Sequence, residues 1–280
     1  KLQADKYAQD AFDLINQSGW ILFSSMILFF LMIAIFYSMV RTLILYYDLR
    51  LIKLNQSYRI VSGLISRKNV LIPFRKIQQI NWKTDPVKKC FGIFEVKIQQ
   101  ATSGIDIKPS LIGVPGCLTS HLDLLKTDLF GPDQLQEQPE IHSSIAYFKR
   151  TWIYKGWIPA LLFSPLLLLD WRFVFLLVSW VVLLLFYSLL LFKKSYIQLN
   201  NDQIRVSSGA IAHQFSQMEF GKVQHVEFRQ SIFNRKRGVA SLKIGNASGT
   251  LLLPFIDATT ARVLYNYLLY YAEKSDQPWM

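Results

Sequence analysis

The sequence has few of the residues that build catalytic or metal sites. Its 280 residues include two cysteines and four histidines, and no histidine is spaced for metal binding with another histidine or a cysteine. Cys90 and Cys117 predict neither a disulfide framework nor a zinc site, so we expect two cytosolic thiols. No Gly-x-Ser-x-Gly elbow and no phosphate-binding glycine loop is present. We therefore expect neither an enzyme nor a cofactor, although small modules could still form a site jointly.

Charged residues are also missing from two long stretches. Trp20–Val40 has none, and Trp152–Phe192 has only Lys155, Asp170 and Arg172. A helix of 21 residues spans about 31 Å at 1.5 Å per residue, which is close to the thickness of a bilayer's hydrocarbon core. An integral membrane protein is therefore favoured, in agreement with the mean hydropathy of +0.23. A buried helix of a soluble protein is the alternative for the first stretch.

Two weakly similar polar segments flank the second apolar stretch. An offset of 146 residues aligns Tyr58–Ala101 with Ile204–Ala247, and 11 of the 44 aligned positions are identical. The shared motifs are Ser62-Gly63 with Ser208-Gly209, and Lys76/Gln78 with Lys222/Gln224. The second apolar stretch therefore separates two copies of one domain.

Alternating apolar and polar residues predict β-strands in both copies. Phe94–Gln99 alternates perfectly, and Leu242–Ile244 repeats this alternation. The apolar parity changes between Ile77 and Ile80 in the first copy and between Val223 and Val226 in the second. We therefore predict a β-bulge or sharp bend at Gln78-Gln79 and at Gln224-His225. Thr102-Ser103-Gly104, like the two Ser-Gly pairs, is typical of a turn.

Each copy ends in a predicted helix. Ser120 is a suitable start in the first copy, and Asp257 is a suitable N-cap for a helix from Ala258 in the second. The apolar stripe expected to cover the strands of the second copy consists of Val263, Leu264, Tyr267, Leu268 and Tyr271. Several strands followed by one covering helix, twice over, predict an α+β module of about 80 residues.

The basic excess lies in the two copies. The net charge is +12, of which residues 41–150 carry +7 and residues 193–280 carry +5. Such an excess fits nucleic acid, anionic lipid or the cytoplasmic side of a membrane. We favour the membrane and expect no nucleic acid, because apolar spans adjoin both copies and stacking aromatic residues are not interleaved with the bases.

Three motifs of the first copy resemble the bacterial membrane-flanked PH-like domain family, which includes the YdbT-like proteins. They are Ser62-Gly63-Leu64-Ile65, the Ile-Pro-Phe-Arg-Lys-Ile-Gln of residues 72–78, and Phe91-Gly92. The second copy keeps Ser208-Gly209, Lys222-Val223-Gln224 and Gly238, but Glu219 replaces the proline and Arg237 replaces the phenylalanine.

The resemblance implies an α+β membrane protein of the bacterial cytoplasmic membrane. Transmembrane helices would alternate with two PH-like domains, each a strongly bent antiparallel sheet or barrel capped by a C-terminal helix. Family members often carry a further helix and module upstream, and the first residue, Lys1, is not a methionine, so we expect a preceding segment.

The expected order of the chain follows from these observations. It is an extracytoplasmic tail or interfacial helix at 1–18, a transmembrane helix at 19–47, a first PH-like domain at 48–130, a linker at 131–149, a transmembrane hairpin at 150–192, a second PH-like domain at 193–273 and a tail at 274–280. Both basic copies belong on the cytoplasmic side, which requires an even number of crossings between them. The hairpin therefore divides at Asp170-Trp171-Arg172 into arms 152–169 and 173–192, and Pro159 and Pro165 should kink the first arm.

Three kinds of function remain open. The leading one is a non-enzymatic multi-pass membrane protein whose cytoplasmic modules bind anionic lipid or an unidentified protein, in envelope maintenance or complex assembly. The second is a transport or export component whose helices line a path, and the third is a scaffold that binds a partner strand at a sheet edge. The protein could also form oligomers.

Two groups of residues are candidates for the contact. Lys76, Gln78, Lys222 and Gln224 either line a groove for a headgroup or peptide, or stabilise the bent strands. The basic residues Lys193, Lys194, Arg235, Lys236 and Arg237 either hold the module on an anionic leaflet or form a solvated face. Lys88-Lys89 is the corresponding basic pair of the first copy.

Overall fold

In a computed structural model, the structure describes residues 2–101, 111–168, 170–200 and 202–274 and divides the chain into two units, 1–73 and 74–280. The first unit contains helix α1 (Leu2–Tyr46) and an antiparallel sheet of β1 (Arg50–Leu54), β2 (Ser57–Ser62) and β3 (Lys68–Pro73), in that order. Within α1, Ile21–Tyr46 has a mean hydropathy of 2.4 and is exposed, so it is a candidate membrane span. The turn predicted at Thr102-Ser103-Gly104 lies outside the described residues.

The second unit contains ten strands and seven helices within the described residues. Its strands are β4 (Ile77–Thr84), β5 (Ile93–Gln100), β6 (Leu111–Leu118), β7 (Ile141–His142), β8 (Tyr196–Leu199), β9 (Gln203–Ser208), β10 (His213–Glu219), β11 (His225–Arg229), β12 (Val239–Asn246) and β13 (Gly249–Asp257). Its helices are α2 (Pro86–Cys90), α3 (Thr119–Phe130), α4 (Ile145–Trp152), α5 (Ile158–Leu162), α6 (Phe173–Lys193), α7 (Ile232–Lys236) and α8 (Ala258–Lys274). Single 3-10 turns lie at Phe74–Lys76, Gln134–Glu137, Ser164–Leu168 and Phe220–Lys222, and a π-helical turn lies at Ile153–Trp157.

Strands from both sequence copies form one sheet in the second unit. The order is β6-β5-β4-β10-β9-β8-β7, and β11, β12 and β13 form a separate antiparallel sheet. The junction between the copies is the antiparallel pair β4 and β10, in which Trp82 lies opposite Phe215. Their rings stack with centroids 5.3 Å apart, so an aromatic cross-strand pair stabilises the junction.

The structure confirms the internal repeat. At an offset of 146 residues, β2 coincides with β9, β5 with β12, and α2 with α7. Gly63 and Gly209 both have a positive φ, at 108° and 100°, and a Cβ on either would lie within 2.2 Å of a backbone carbonyl oxygen of the same turn. Both Ser-Gly turns therefore require glycine, because only glycine combines this backbone conformation with so close an approach.

The predicted bulge is confirmed in the first copy. The register of β4 with β5 shifts between Ile77 and Gln79, so Gln78 is the extra residue. In the second copy the irregularity lies at the start of β11 rather than inside it. The amide of Gln224 donates to the carbonyl of Gly245 (2.8 Å), and His225 is also opposite Gly245, so two residues again face one.

The second copy closes over its core with α8. As predicted, Asp257 caps this helix, because its Oδ2 accepts hydrogen bonds from the amides of Thr259 and Thr260. Leu264 and Leu268 are buried against the strands of that copy. The stripe is narrower than expected, since Val263 is 67% exposed. The helix of the first copy, α3, begins at Thr119, one residue before its predicted start.

Segment 131–149 extends the sheet as well as joining the first copy to the hairpin. Ile141–His142 forms β7 and pairs with β8 at the sheet edge. Leu135 is buried, and the Asp133 carboxylate lies 2.6 Å from the guanidinium of Arg205 on β9. The composition of this segment predicted only a linker, but the segment also contains a strand and forms an ion pair with the sheet.

The second apolar stretch forms a helical hairpin. Residues 145–162 pack along α6, with Gly156 against Leu184 and the indole of Trp152 donating to the carbonyl of Val181 (3.3 Å). The first arm is broken near its prolines as predicted, because Pro159 cannot donate a hydrogen bond to the preceding turn, which is π-helical. By length and composition α6 is a second candidate span, with a mean hydropathy of 2.7.

Candidate functional site

The end of α6 is tied to the second copy by Lys194. Its ammonium group donates to the carbonyls of Ala210 (2.7 Å) and Ile211 (3.4 Å) in the turn after β9. The hydroxyl of Ser207 in turn donates to the carbonyl of Lys194 (2.8 Å). These bonds fix one end of the sheet beside the end of the apolar helix. We call this region, around residues 193–195 and 207–213, the α6 end of the second unit.

Helix α2 of the first copy lies at the α6 end. It follows β4, whose last residue, Thr84, is paired with His213 at the start of β10. Burial lowers the pKa of His213 to about 4, and the positive charges of Lys194 and Lys89 act in the same direction. Lys89 of α2 and Lys194, the residue after α6, therefore both act on the same imidazole.

Helix α7 of the second copy lies at the α6 end as well. Ser231, its N-cap, and Asn234 line one groove together with Ser195, the residue after Lys194. The same groove is lined by Tyr147 and Arg150 of α4, the helix that leads into the hairpin. Val239, which follows α7, is buried in one cluster with Ala146 of α4. Both short helices therefore lie where the hairpin joins the sheet.

The local sequence explains why the two helices are short and alike. Ser231 accepts a hydrogen bond from the amide of Asn234 (3.3 Å), and Pro86 occupies the first helical position of α2. Gly92 and Gly238 follow the two helices with φ of 63° and 64°, a conformation that ends a helix and favours glycine. Each helix is thus a single turn between two strands.

Both helices expose large apolar side chains beside bases. Val87 and Phe91 are each 70% exposed at α2, and Ile232 and Phe233 are 76% and 77% exposed on α7. The accompanying bases are Lys88 and Lys89 at α2, and Arg235, Lys236 and Arg237 at α7. We call residues 86–91 and 232–237 the two tips. Exposed apolar groups flanked by bases are typical of segments that bind at a membrane interface.

The bases of the two tips differ in whether carboxylates lie near them. Lys88 lies 3.6 Å from the carboxylates of Asp85 and Glu95, which partly offset its charge. Arg235, Lys236 and Arg237 are all exposed, and no carboxylate of the described residues lies within 4.0 Å of their charged groups. The α7 tip therefore presents the more available cations.

The predicted basic residues thus divide by role. Lys193, the last residue of α6, is exposed, whereas the ammonium group of Lys194 is occupied by the two carbonyls of the turn. The apolar side chains of the tips were not predicted from the sequence. The sequence did contain a signal for them. Val87 and Phe233 occupy the same repeat position next to bases, in segments too short to bury an apolar side chain.

The Lys-x-Gln group lies at the opposite end of the sheet. Gln78 and Lys222 line a cavity of about 330 Å³ that Glu219 also borders, whereas Lys76 and Gln224 are exposed outside it. The ammonium group of Lys222 donates to the carbonyl of Arg75 (3.1 Å), so it ties one 3-10 turn to the other. Burial raises the pKa of Glu219, and the charge of Lys222 opposes this shift. The structure therefore does not bring these four residues to the tips.

Comparison with known proteins agrees with this architecture. The model of the Bacterial PH domain family matches residues 11–117 and 153–272, so each match includes an apolar helix and the strands after it. The chain is also 26% identical over 235 residues to the UPF0699 transmembrane protein YdbT of Bacillus subtilis (strain 168). This alignment covers 81% of the chain and 46% of the relative, so the chain spans about half the relative's length. The chain belongs to the Bacterial PH domain family and is a YdbT-like membrane protein.

Proposed function

We propose that this protein is a multi-pass protein of the bacterial cytoplasmic membrane that works by binding rather than by catalysis. Its PH-like modules lie in the cytoplasm, and the α6 end of the second unit rests on the anionic headgroups of the membrane that holds its helices. The observation that carries this proposal is the repeated tip, a one-turn helix with exposed apolar side chains and bases, present in both copies at the end where α6 enters the sheet.

The hairpin supports this placement. Its two arms run in opposite directions and pack against each other. Phe148, at the start of the first arm, contacts Phe192, at the end of the second (ring centroids 6.5 Å apart). Both ends therefore lie on one side of the membrane if the two arms cross it. Lys149-Arg150 and Lys193-Lys194 flank these ends, as expected for the cytoplasmic side.

The expected binding free energies favour a reversible contact between the α7 tip and the membrane surface. Each base near an anionic leaflet contributes about 1 kcal/mol, so Arg235, Lys236 and Arg237 together contribute about 3 kcal/mol. Full burial of a phenylalanine such as Phe233 adds about 1.5–3 kcal/mol. The chain is already held in the membrane, so this energy positions the module on the surface instead of recruiting it.

Hydrogen–deuterium exchange of the full chain in nanodiscs tests the proposal. We expect the amides of α2 and α7 to exchange more slowly in nanodiscs with anionic lipid than in zwitterionic ones. Arg235→Gln, Lys236→Gln and Arg237→Gln together should remove this difference at α7. The matched control is Arg75→Gln, Lys76→Gln and Arg262→Gln, which removes three exposed bases outside the tips. Equal exchange in both lipid compositions, or the same loss in both triple variants, would contradict it.

A further inference from the structure

The second unit contains a polar groove that the tips do not explain. It has a volume of about 830 Å³ and runs between the seven-stranded sheet and β13. Tyr147, Arg150 and Asn234 border it at the α6 end, and Gly249 and Thr250 border it at the β12–β13 hairpin. Its size is in the range of sites that hold small ligands, which are about 300–1,000 Å³.

The chemistry of the groove wall favours an anionic, hydroxyl-rich ligand. Amide and hydroxyl side chains make up most of the wall, and none of the described residues that line it is a carboxylate. Two guanidinium groups border it, those of Arg150 and Arg229. Arg229 is already paired with Glu227, with Nε and Nη2 2.7 Å and 2.5 Å from Oε2.

Arg150 is the available cation. Its guanidinium carbon lies 5.0 Å from the ring centre of Phe255 and 5.4 Å from that of Tyr154, so two aromatic rings position it. In the described part of the chain no carboxylate lies within 4.0 Å of its guanidinium nitrogens. An arginine held by rings keeps its planar donors free for two parallel hydrogen bonds to an oxyanion.

Buried polar side chains in the groove have unused hydrogen-bonding capacity. Ser216 and Asn234 are 7% and 9% exposed, and neither side chain has a hydrogen-bond partner among the residues that the structure describes. Asn81, 8% exposed, accepts a bond from the Gln79 amide, which leaves its own NH₂ group to donate. None of these three residues has a fully enclosed side-chain atom that lacks a partner, so their polar atoms are reachable from the groove. Water or the hydroxyl groups of a ligand in the groove can therefore satisfy them.

We propose that the groove binds a polyol phosphate, with the phosphate at Arg150 and the hydroxyl groups at Asn234, Ser216 and Asn81. The ligand has two chemical sources. It is either a soluble sugar phosphate or glycerol phosphate, or the headgroup of a phospholipid such as phosphatidylglycerol from the adjoining leaflet. The lipid source rests on the proposed membrane placement, and the soluble source does not.

Titration of the full chain in zwitterionic nanodiscs tests the soluble source. Calorimetry with glycerol 3-phosphate and glucose 6-phosphate should show saturable binding, and glycerol or inorganic phosphate alone should bind more weakly. Arg150→Gln should weaken binding by about tenfold or more, as expected for a lost hydrogen bond to a charged group. Arg150→Lys should restore part of the affinity, and Ser216→Leu, which fills the groove, should abolish it.

Native mass spectrometry tests the lipid source on the same variants. Chain released from mixed nanodiscs should retain phosphatidylglycerol in preference to phosphatidylcholine, and Arg150→Gln should lose this preference. Arg262→Gln, which removes an exposed base of α8 outside the groove, should leave both readouts unchanged.

The combined outcomes decide the proposal. Binding in one arm, lost in Arg150→Gln and kept in Arg262→Gln, supports the site and identifies its source. Absence of saturable binding in both arms overturns it, as does binding that Arg150→Gln and Ser216→Leu leave intact. The exchange experiment on the tips is independent, so failure of the membrane placement is distinguishable from failure of the groove.

Discussion

At the residue scale, Arg205 shows how a buried charge is stabilised in this fold. It is 5% exposed, donates to Gln217 from Nε (3.2 Å) and Nη2 (3.0 Å), and lies 5.4 Å from the ring centre of Trp82. Its carboxylate partner, Asp133, belongs to segment 131–149, which joins the first copy to the hairpin. The pair therefore holds that segment on the sheet, and its removal should be costly because a buried charge would lose its partner.

We expect Asp133→Asn to lower the free energy of unfolding by about 2 kcal/mol. Burial alone would raise the pKa of Asp133, but Arg205 and Lys126 outweigh it and hold that pKa below the ordinary value of 3.8. The stabilisation is therefore complete above pH 3.8 and is lost as the pH falls through the folded-state pKa. Denaturant unfolding in detergent measures the difference. Asp123→Asn removes an exposed partner of Lys126 and should cost less than about 0.5 kcal/mol.

His213 gives a second pH dependence with a different window. Its pKa falls from 6.5 to about 4 in the folded chain, so the unfolded state binds more protons between these values. Stability should be full above pH 6.5 and decrease as the pH falls from 6.5 toward 4. Melting temperatures at pH 7.5 and 5.5 should differ less for His213→Gln than for the parent chain. An unchanged difference would show that His213 is not buried as a neutral ring.

At the scale of elements, the sequence predicted those turns and helix caps whose geometry depends on the type of one or two residues. The Ser-Gly turns and the Asp257 cap depend on the residues themselves, so the sequence suffices to place them. The bulge at Gln78 could be predicted, because the apolar residues change from odd to even positions along the strand and this change requires an extra residue. The strand at Ile141–His142 could not be predicted, since two residues are too few to show an alternation of apolar and polar side chains.

Gly209→Ala tests the repeated turn. A Cβ at this position would lie 2.0 Å from the carbonyl oxygen of Ala212, and the φ of 100° disfavours any other residue. We expect a loss of at least about 2 kcal/mol in the free energy of unfolding. Gly221→Ala is the control, because a Cβ there would meet nothing within 4 Å. Comparable losses in both variants would show that the turn does not require glycine.

At the scale of the whole molecule, the joining of the copies could not be predicted from the sequence. The β4–β10 pair connects strands about 130 residues apart, and alternation in one strand does not specify its partner. Gln79 and Asn81 look like solvent-facing residues of β4, yet they are buried at the polar groove. The sequence thus predicted two modules and two apolar segments, but neither the shared sheet nor the groove.

Membrane contact by the tips is the central claim, and Cys90 offers a direct probe. Cys90 is exposed on α2, whereas Cys117 is buried and burial raises the pKa of its thiol to about 11, so a maleimide should label Cys90 selectively. The measurement is quenching of a Cys90-bound fluorophore by nitroxide lipids in anionic nanodiscs. We predict strong quenching by headgroup and shallow acyl nitroxides, weak quenching by deep ones, and loss of quenching in Lys88→Glu/Lys89→Glu. Quenching no stronger than that of a fluorophore at Lys76→Cys, in a chain with Cys90→Ser, would contradict the account.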